Sequence, residues 1–400
     1  MTSTVEAEPN RGKRSLSVVG LFAGIGGIEL GLHEAGHRGS LLCEIDASAQ
    51  TVLRNNFPGI PIHDDVSTLR SIPGGTDLIA AGFPCQDISL AGTRAGLSGG
   101  RSGLIGQVFR IASQHRTELI LLENVQHLLR LKSGENLRII LQALEEMGYR
   151  WAYRVVDTRG FGLPQRRLRV IILASRGEVE PGDILFSAGV RPDFDDRINL
   201  ELGHRYGFYW TEGKRGVGWA RDAVPPIKGG SGLGIPSPPA VFDTVSGVTG
   251  TPSLEDAERL QGFAAGWTDV SEQGIDLRPG ERWKLVGNAV SVPVGEWLGA
   301  ALADQHTTMD RDLLLPFDEN RAWPNAAMVR DGRRYKVEAT THVNVSVHTP
   351  IGEFLLDPLK PLSTKALLGY LSRARSGEKT FPADFLEMLQ AQASSQIVAA

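Results

Sequence analysis

The group in this chain best placed to attack an electrophilic carbon is the thiol of Cys85, in the run Gly82-Phe83-Pro84-Cys85-Gln86. An apolar segment leads into it, so the thiol stands at the carboxyl end of a strand, stiffened by Pro84. The Ser/Gly/Arg-rich stretch that follows, as far as Arg101-Ser102-Gly103, has the composition of a closing lid. A lone cysteine is more often a buried structural thiol, but Pro84 on one side and Gln86-Asp87 on the other make a poor apolar slot. Cys43, set among Leu41, Leu42 and Ile45, is the cysteine that reads as core. A further strand end, Glu123-Asn124-Val125, brings a carboxyl suited to acid chemistry beside the end of the Cys85 strand. The basic run Phe161-Gly162-Leu163-Pro164-Gln165-Arg166-Arg167-Leu168-Arg169 leads directly into a core strand, so its guanidiniums must face the cleft or be held by partners there.

A second constellation has the pattern of an adenosine site. The first strand ends in Phe22-Ala23-Gly24-Ile25-Gly26-Gly27, and glycines between a strand and a helix let the backbone approach a ligand closely. The dinucleotide fingerprint would need glycine at 29, where Glu29 stands, which favours another adenosine cofactor. Glu44-Ile45-Asp46 follows at about the 20-residue spacing at which an acid meets ribose hydroxyls. Asp64-Asp65-Val66 closes the third strand, where a carboxylate can bind an adenine amino group.

These groups need a scaffold that brings several strand ends to one edge. Strands expected over 16–22, 39–43, 77–81, 119–122, 151–156 and 169–173 alternate with helices over 28–35, 47–55, 103–113 and 136–147. That alternation argues for an α/β fold with a doubly wound sheet and its ligands at the strands' carboxyl ends. Residues 1–14 read as a loose tail, and 15–176 as one part of the main domain. Residues 177–253, rich in Gly and Pro with scattered aromatics, read as a separate loop-rich unit. The main domain returns over 254–304, with a helix from 254 capped by Ser253 and Asp256 and another over 290–303. Residues 305–400 form an extension with a strand-like 343–347 and helices over 364–375 and 383–392.

Composition excludes several classes. With 41% hydrophobic and 22% charged residues among 400, the chain is globular. Two cysteines exclude a disulfide framework and any multi-cysteine metal site. The lack of a membrane-length apolar stretch or a signal-peptide core predicts a soluble, cytoplasmic chain with no membrane partner. The net charge is −4, yet 150–235 carries 14 basic against 10 acidic residues, a modestly basic middle suited to an anionic partner.

Taken in order, the motifs resemble those of the S-adenosylmethionine-dependent DNA (cytosine-5) methyltransferases of bacterial and phage restriction-modification systems. They are Phe-Ala-Gly-Ile-Gly-Gly at 22–27, Glu-Ile-Asp at 44–46, Asp-Val at 65–66, Gly-Phe-Pro-Cys-Gln at 82–86 and Arg-Ser-Gly-Leu at 101–104. They continue with Glu-Asn-Val at 123–125, Gln-Arg-Arg-Leu-Arg at 165–169, Glu-Arg-Leu-Gln-Gly-Phe at 258–263 and Gly-Asn-Ala-Val at 287–290. The resemblance spans 16–304 and implies that 177–253 is a target-recognition domain inserted before the last core helix. It implies Cys85, Glu123, Arg167 and Arg169 as catalytic. For the cofactor it implies Phe22, Gly24, Gly26, Glu44, Ile45, Asp65, Val66, Pro84, Leu104 and Asn288. Ile45 departs from an aromatic that many relatives carry against adenine. For the DNA, the candidates are Gln86, Asn124, Gln165, Arg205, Arg215 and Arg221. The resemblance further implies double-stranded DNA as partner, a monomer, no metal, and a cognate restriction endonuclease that shares the target site without binding the chain.

Two rivals remain to be weighed. His33-Glu34-Ala35-Gly36-His37 matches the H-E-x-x-H zinc signature, but glycine interrupts its helix and no third ligand follows closely. A tRNA cytosine-5 methyltransferase would usually carry Pro-Pro-Cys, where this chain has Phe83-Pro84-Cys85. A non-catalytic DNA-binding protein on the same scaffold would predict a decayed Cys85, Glu123 or arginine pair, and all are intact.

Overall fold

The computed structural model describes residues 14–84, 103–188, 194–212, 216–229, 238–304, 307–318, 321–343, 345–377 and 381–398. Its central sheet starts with β1 (Ser17–Leu21), β2 (Arg38–Cys43), β3 (Ile62–His63), β4 (Leu78–Gly82) and β5 (Leu119–Val125), all parallel in the order β3-β2-β1-β4-β5. β4 and β5 are almost wholly buried, which is why they read as unbroken apolar runs instead of alternating ones. The order reverses at β1, so the crevice between the ends of β1 and β4 is the natural ligand site.

β6 (Arg150–Asp157) and β7 (Leu168–Ser175) follow, with β7 antiparallel between β5 and β6. The ten-residue connection 158–167 is too short for a parallel crossover, so the chain reverses. That reversal leaves the Gln165–Arg169 run on the edge where β4 and β5 end.

A second, antiparallel sheet contains β8 (Arg205–Phe208), β9 (Ala220–Arg221), β10 (Ala240–Asp243) and β11 (Thr249–Thr251). Residues 177–253 are thus built on a sheet, where sequence pattern suggested mainly loops. Strands of two to four residues are too short to display a period of two. The chain then returns to the main core through helices Leu254–Leu260, Pro279–Asn288 and Val292–Ala303. By length and composition 279–303 would suffice to cross a bilayer, but it breaks into two helices and is 72% buried in the protein. Val292–Ala303 packs on helix Gly27–Glu34, and the bare Gly31 and Gly295 let the two backbones touch.

Residues 305–400 are woven into both sheets. β12 (Leu314–Pro316), β13 (Ala326–Arg330) and β14 (Arg333–Val337) extend the central sheet beyond β6, with Ala327 opposite Tyr153. β15 (Lys360–Pro361) pairs with β11, and helices Thr364–Arg375 and Ala383–Val398 cover the second sheet. The strand expected over 343–347 is instead a strap: Phe161 and Ser346 form an isolated bridge, and Val345 and Ser346 donate their N–H groups to the Gly160 carbonyl.

Two stability predictions follow from this packing. Phe385 is fully buried, with Phe208, Trp219 and Phe242 rings at 5.2, 4.9 and 5.4 Å. Phe385→Ala should cost about 3–5 kcal/mol in a denaturant titration, because the cavity opens in the shared core of the second sheet and its covering helices. Glu29 is buried against the bare Cα of Gly20, and burial pushes its carboxyl up from 4.5 to about 8. The folded chain therefore holds this proton where an unfolded one releases it, so stability falls as pH rises from about 4.5 to about 8. Glu29→Gln should flatten that fall between pH 5 and 8, read as the melting midpoint at each pH.

Candidate active site

The glycine turn after β1 carries left-handed backbone at Phe22 (φ 56°), Gly24 (φ 57°) and Gly26 (φ 88°). For Phe22 this costs about 1–3 kcal/mol, a strain that marks the turn as constrained by its surroundings. A Cβ at Gly26 would overlap the Phe57 ring, and one at Gly27 the Val290 carbonyl, so the turn is pressed between two elements. Its Gly24 N–H donates to Glu44 Oε2 at 2.7 Å, while the Asp46 N–H donates to Oε1 at 2.8 Å. The Glu44 carboxylate thereby spans the ends of β1 and β2 with further lone pairs available. Beside it Ile45 is 74% exposed, an aliphatic surface at the mouth of the crevice.

Asp65 Oδ1 accepts the Ser67 N–H at 2.8 Å, and that bond holds the carboxyl below its ordinary range. Val66 points its side chain into the core, so any ligand contact from it must be through the backbone. Phe22 and Leu104 are half-buried against the same core cluster. Asn288 is exposed at the end of helix Pro279–Asn288, two residues before the Val290 carbonyl that presses on Gly27.

At the other side of the crevice, Glu123 lies opposite Gly82 in the β4–β5 ladder and pairs with Arg169 Nε at 2.9 Å. Both are nearly buried. Burial lowers the Arg169 proton affinity, and the Glu123 carboxylate beside it opposes that change. Phe83 is buried and Pro84 exposed, after which Cys85 and Gln86 lie outside the described residues, as does Arg215.

Several expected contacts take another form. Asn124 is buried and donates from Nδ2 to the Phe83 carbonyl at 2.8 Å, so it ties the end of β5 to the segment that leaves β4. Gln165 is fully buried: Nε2 donates to the Leu260 carbonyl at 2.8 Å and Oε1 accepts the Ile227 N–H at 3.0 Å, making it a strut between helix Leu254–Leu260 and the segment after β9. Arg167 is also buried, with Nη2 donating to the Ala289 carbonyl at 2.6 Å. Its head group is spent on the protein, and only Arg169 of the pair meets Glu123. Arg221 is engaged by Glu201 at 3.0 Å and His204 Nε2 at 2.6 Å, whereas Arg205 gives Nε to Asp243 at 3.0 Å. These partners lie 17–122 residues away along the chain and leave no local sequence signal.

The zinc reading fails on geometry. His37 Nδ1 accepts the Leu16 N–H at 3.0 Å and Nε2 donates to the Gly299 carbonyl at 2.9 Å, so both ring nitrogens are occupied in the core. Among the described residues no cluster of three metal-ligating side chains occurs.

Comparison with known proteins identifies the family. Residues 16–196 match the family model of the C-5 cytosine-specific DNA methylases. The chain is 47% identical to the Type II methyltransferase M2.BsuMI of Bacillus subtilis (strain 168), over 94% of this chain and 97% of that one. It is 38% identical to Type II methyltransferase M.BsuFI of Bacillus subtilis over 49% of this chain and 47% of the relative. The solved structure of S. pombe Dnmt2 methyltransferase aligns with 72% of this chain and 98% of its own, at 18% identity and a TM-score of 0.48. With a catalytic-domain match and near full-length identity of this order, the chain belongs to the C-5 cytosine-specific DNA methylases.

Proposed function

We propose that this DNA cytosine-5 methyltransferase acts on a cytosine turned out of the duplex, held by Glu123 and Arg169 and attacked by the thiol of Cys85. The observation that carries this reading is the nearly buried Glu123–Arg169 pair, at the strand edge from which the chain runs through Phe83 and Pro84 to Cys85.

The residues at the ends of β1, β2 and β3 fit S-adenosylmethionine. Glu44 offers two acceptor oxygens to a ribose diol, Ile45 an apolar face to a purine, and Asp65 an acceptor to an exocyclic amine. Gly24 and Gly26 keep the backbone close, Phe22, Pro84 and Leu104 border the site, and Asn288 stands at its rim. S-adenosylmethionine, when bound, supplies an electrophilic methyl group.

Cytosine C5 is too weak a nucleophile to take a methyl group unaided. The Cys85 thiolate adds to C6, forming an S–C bond and moving the C5=C6 electron pair toward N3, which takes up a proton shared with Glu123 and returns it when the methyl group is taken. The enamine so formed directs its electrons through C5 to the methyl carbon, whose bond to the sulfonium sulfur breaks so that S-adenosylhomocysteine leaves. A base then takes the C5 proton, the C5=C6 bond re-forms, and the S–C6 bond breaks to release the thiolate. An unperturbed thiol, with a pKa of ~8.5, is only a few per cent ionised at neutral pH, so positive charge near Cys85 raises the reactive fraction. Turning the base out costs a few kcal/mol and exposes the atoms that react. The names of the two relatives support a biological setting as well: the chain modifies a site shared with a restriction endonuclease that need not bind it.

Cys85→Ala should abolish methyl transfer in a tritiated-methyl assay on duplex DNA while calorimetry still detects cofactor binding; turnover within tenfold of the parent would remove Cys85 from the mechanism. The parent enzyme should form a denaturation-resistant adduct with DNA containing 5-fluorocytosine, where the final elimination is blocked. Glu44→Ala should raise the KM for S-adenosylmethionine about tenfold with kcat at saturation within a few-fold, as expected for uniform binding.

A further inference from the structure

Arg205 and Arg221 lie on neighbouring strands of the second sheet but are held differently. Arg221 is enclosed by Glu201, His204 and Asp222. Arg205 is held through Nε alone: Asp243 Oδ2 accepts from it at 3.0 Å, and among the described residues no group accepts from its two Nη nitrogens. Asp243 is itself fixed, with Oδ1 accepting the Val245 N–H at 2.9 Å. Burial alone would raise the Asp243 carboxyl, but the Val245 and Arg205 hydrogen bonds outweigh it and hold the group ionised. A guanidinium gripped at Nε keeps its Nη edge free for a pair of acceptors.

The other constraint comes from the far end of the chain. A Cβ built at Gly352 would overlap Arg205 Nη1, so the guanidinium lies directly on the bare Cα of Gly352. Gly352 belongs to the short helix Ile351–Phe354, anchored by the Ile351 N–H on the Asp222 carbonyl at 2.9 Å and by Arg259 Nη1 on the Phe354 carbonyl at 2.7 Å. Its backbone has no left-handed φ that would demand glycine. The space it leaves is filled by the arginine head. The device adjoins the catalytic edge, because Val224, two residues beyond Asp222, exchanges backbone bonds at 2.8 Å with Pro164 and Arg166.

We infer that Arg205 contacts the DNA substrate through its free Nη edge, and that Gly352 is a positioning residue that, with Asp243, aims it. The acceptors are paired: O6 and N7 of a guanine or two oxygens of a phosphate. The inference rests on reading the second sheet and its C-terminal cover as the half of the enzyme that reads DNA. It assigns to residues 305–400 a part in substrate binding in addition to their structural one.

The test uses the full-length enzyme with unmethylated plasmid DNA. Gly352→Ala puts a helix-favouring residue in the helix, and the only overlap is with the end of a flexible side chain, so the melting midpoint should hold. Arg205→Ala and Gly352→Ala should each raise the KM for plasmid about tenfold, the scale of one lost DNA contact, with kcat within threefold. The double variant should be no worse than either, since the methyl group has nothing left to displace, and it serves as the folding control. Unchanged KM in either single variant, or effects that multiply in the double, would overturn the assignment. Bisulfite sequencing separates the acceptors: relaxation at one position identifies a guanine edge, and uniform weakening without altered sites identifies a phosphate. The 5-fluorocytosine adduct at saturating DNA should persist in all three variants; its absence from the parent enzyme would instead refute the covalent reading and leave the KM comparison intact.

Discussion

A cation buried without a carboxylate partner of its own has to be solvated by something, and for Arg167 the solvent is main-chain carbonyl oxygen. Its guanidinium reaches the carbonyls of Ile227, Gly287 and Ala289 at 3.4, 3.5 and 2.6 Å, while Nε lies buried with no hydrogen-bond partner among the described residues. Burial and the neighbouring Arg169 both depress its proton affinity, with Glu123 opposing. Such an arrangement is worth its desolvation only if the three carbonyls stay where they are. The requirement ties the start of β7 to the segment that follows β9 of the second sheet and to the segment that presses on the glycine turn.

Gln165 repeats the logic in neutral form, holding Leu260 and Ile227 from the same ten-residue loop. The loop exists because β7 runs backward between β5 and β6, and the backward strand also carries Arg169 to Glu123. The crevice at the ends of β1 and β4, the Glu123–Arg169 pair and the second sheet are therefore coupled through one connection. A shift of that loop would move the strand-end crevice and the second sheet together.

The last third of the chain takes part in the same coupling. The strap near 345–349 bonds to Gly160 and Gly162 in the loop, and Ile351 bonds to Asp222 in the second sheet. Asp256, at the first turn of its helix, accepts the N–H groups of Leu356 and Asp357 at 3.0 and 3.2 Å. The C-terminal segment thus bridges the two halves at the level of the site while its helices complete the aromatic core behind.

The amino-acid sequence by itself determined the parts of this protein that are local. Apolar runs closed by Gly or Asx/Glu fix where β1, β2, β4 and β5 end, so the cofactor crevice and the Glu123 end were legible from residue type and spacing. Ser253 announced its helix, and its Oγ accepts the Asp256 N–H at 2.9 Å. Tertiary structure alone decided which polar side chains are already held by the protein. Asn124, Gln165 and Arg167 are expected at the site from the family resemblance, with the guanidiniums of the basic run either facing the cleft or held there, and each is held by a backbone group brought near by folding. The same holds for Arg205 and Arg221, alike in sequence and opposite in availability. Partners from 17 residues away (His204 with Arg221) to the far end of the chain (Gly352 with Arg205) decide that difference, and no local pattern encodes a hydrogen bond whose two ends meet only after the sheets have packed.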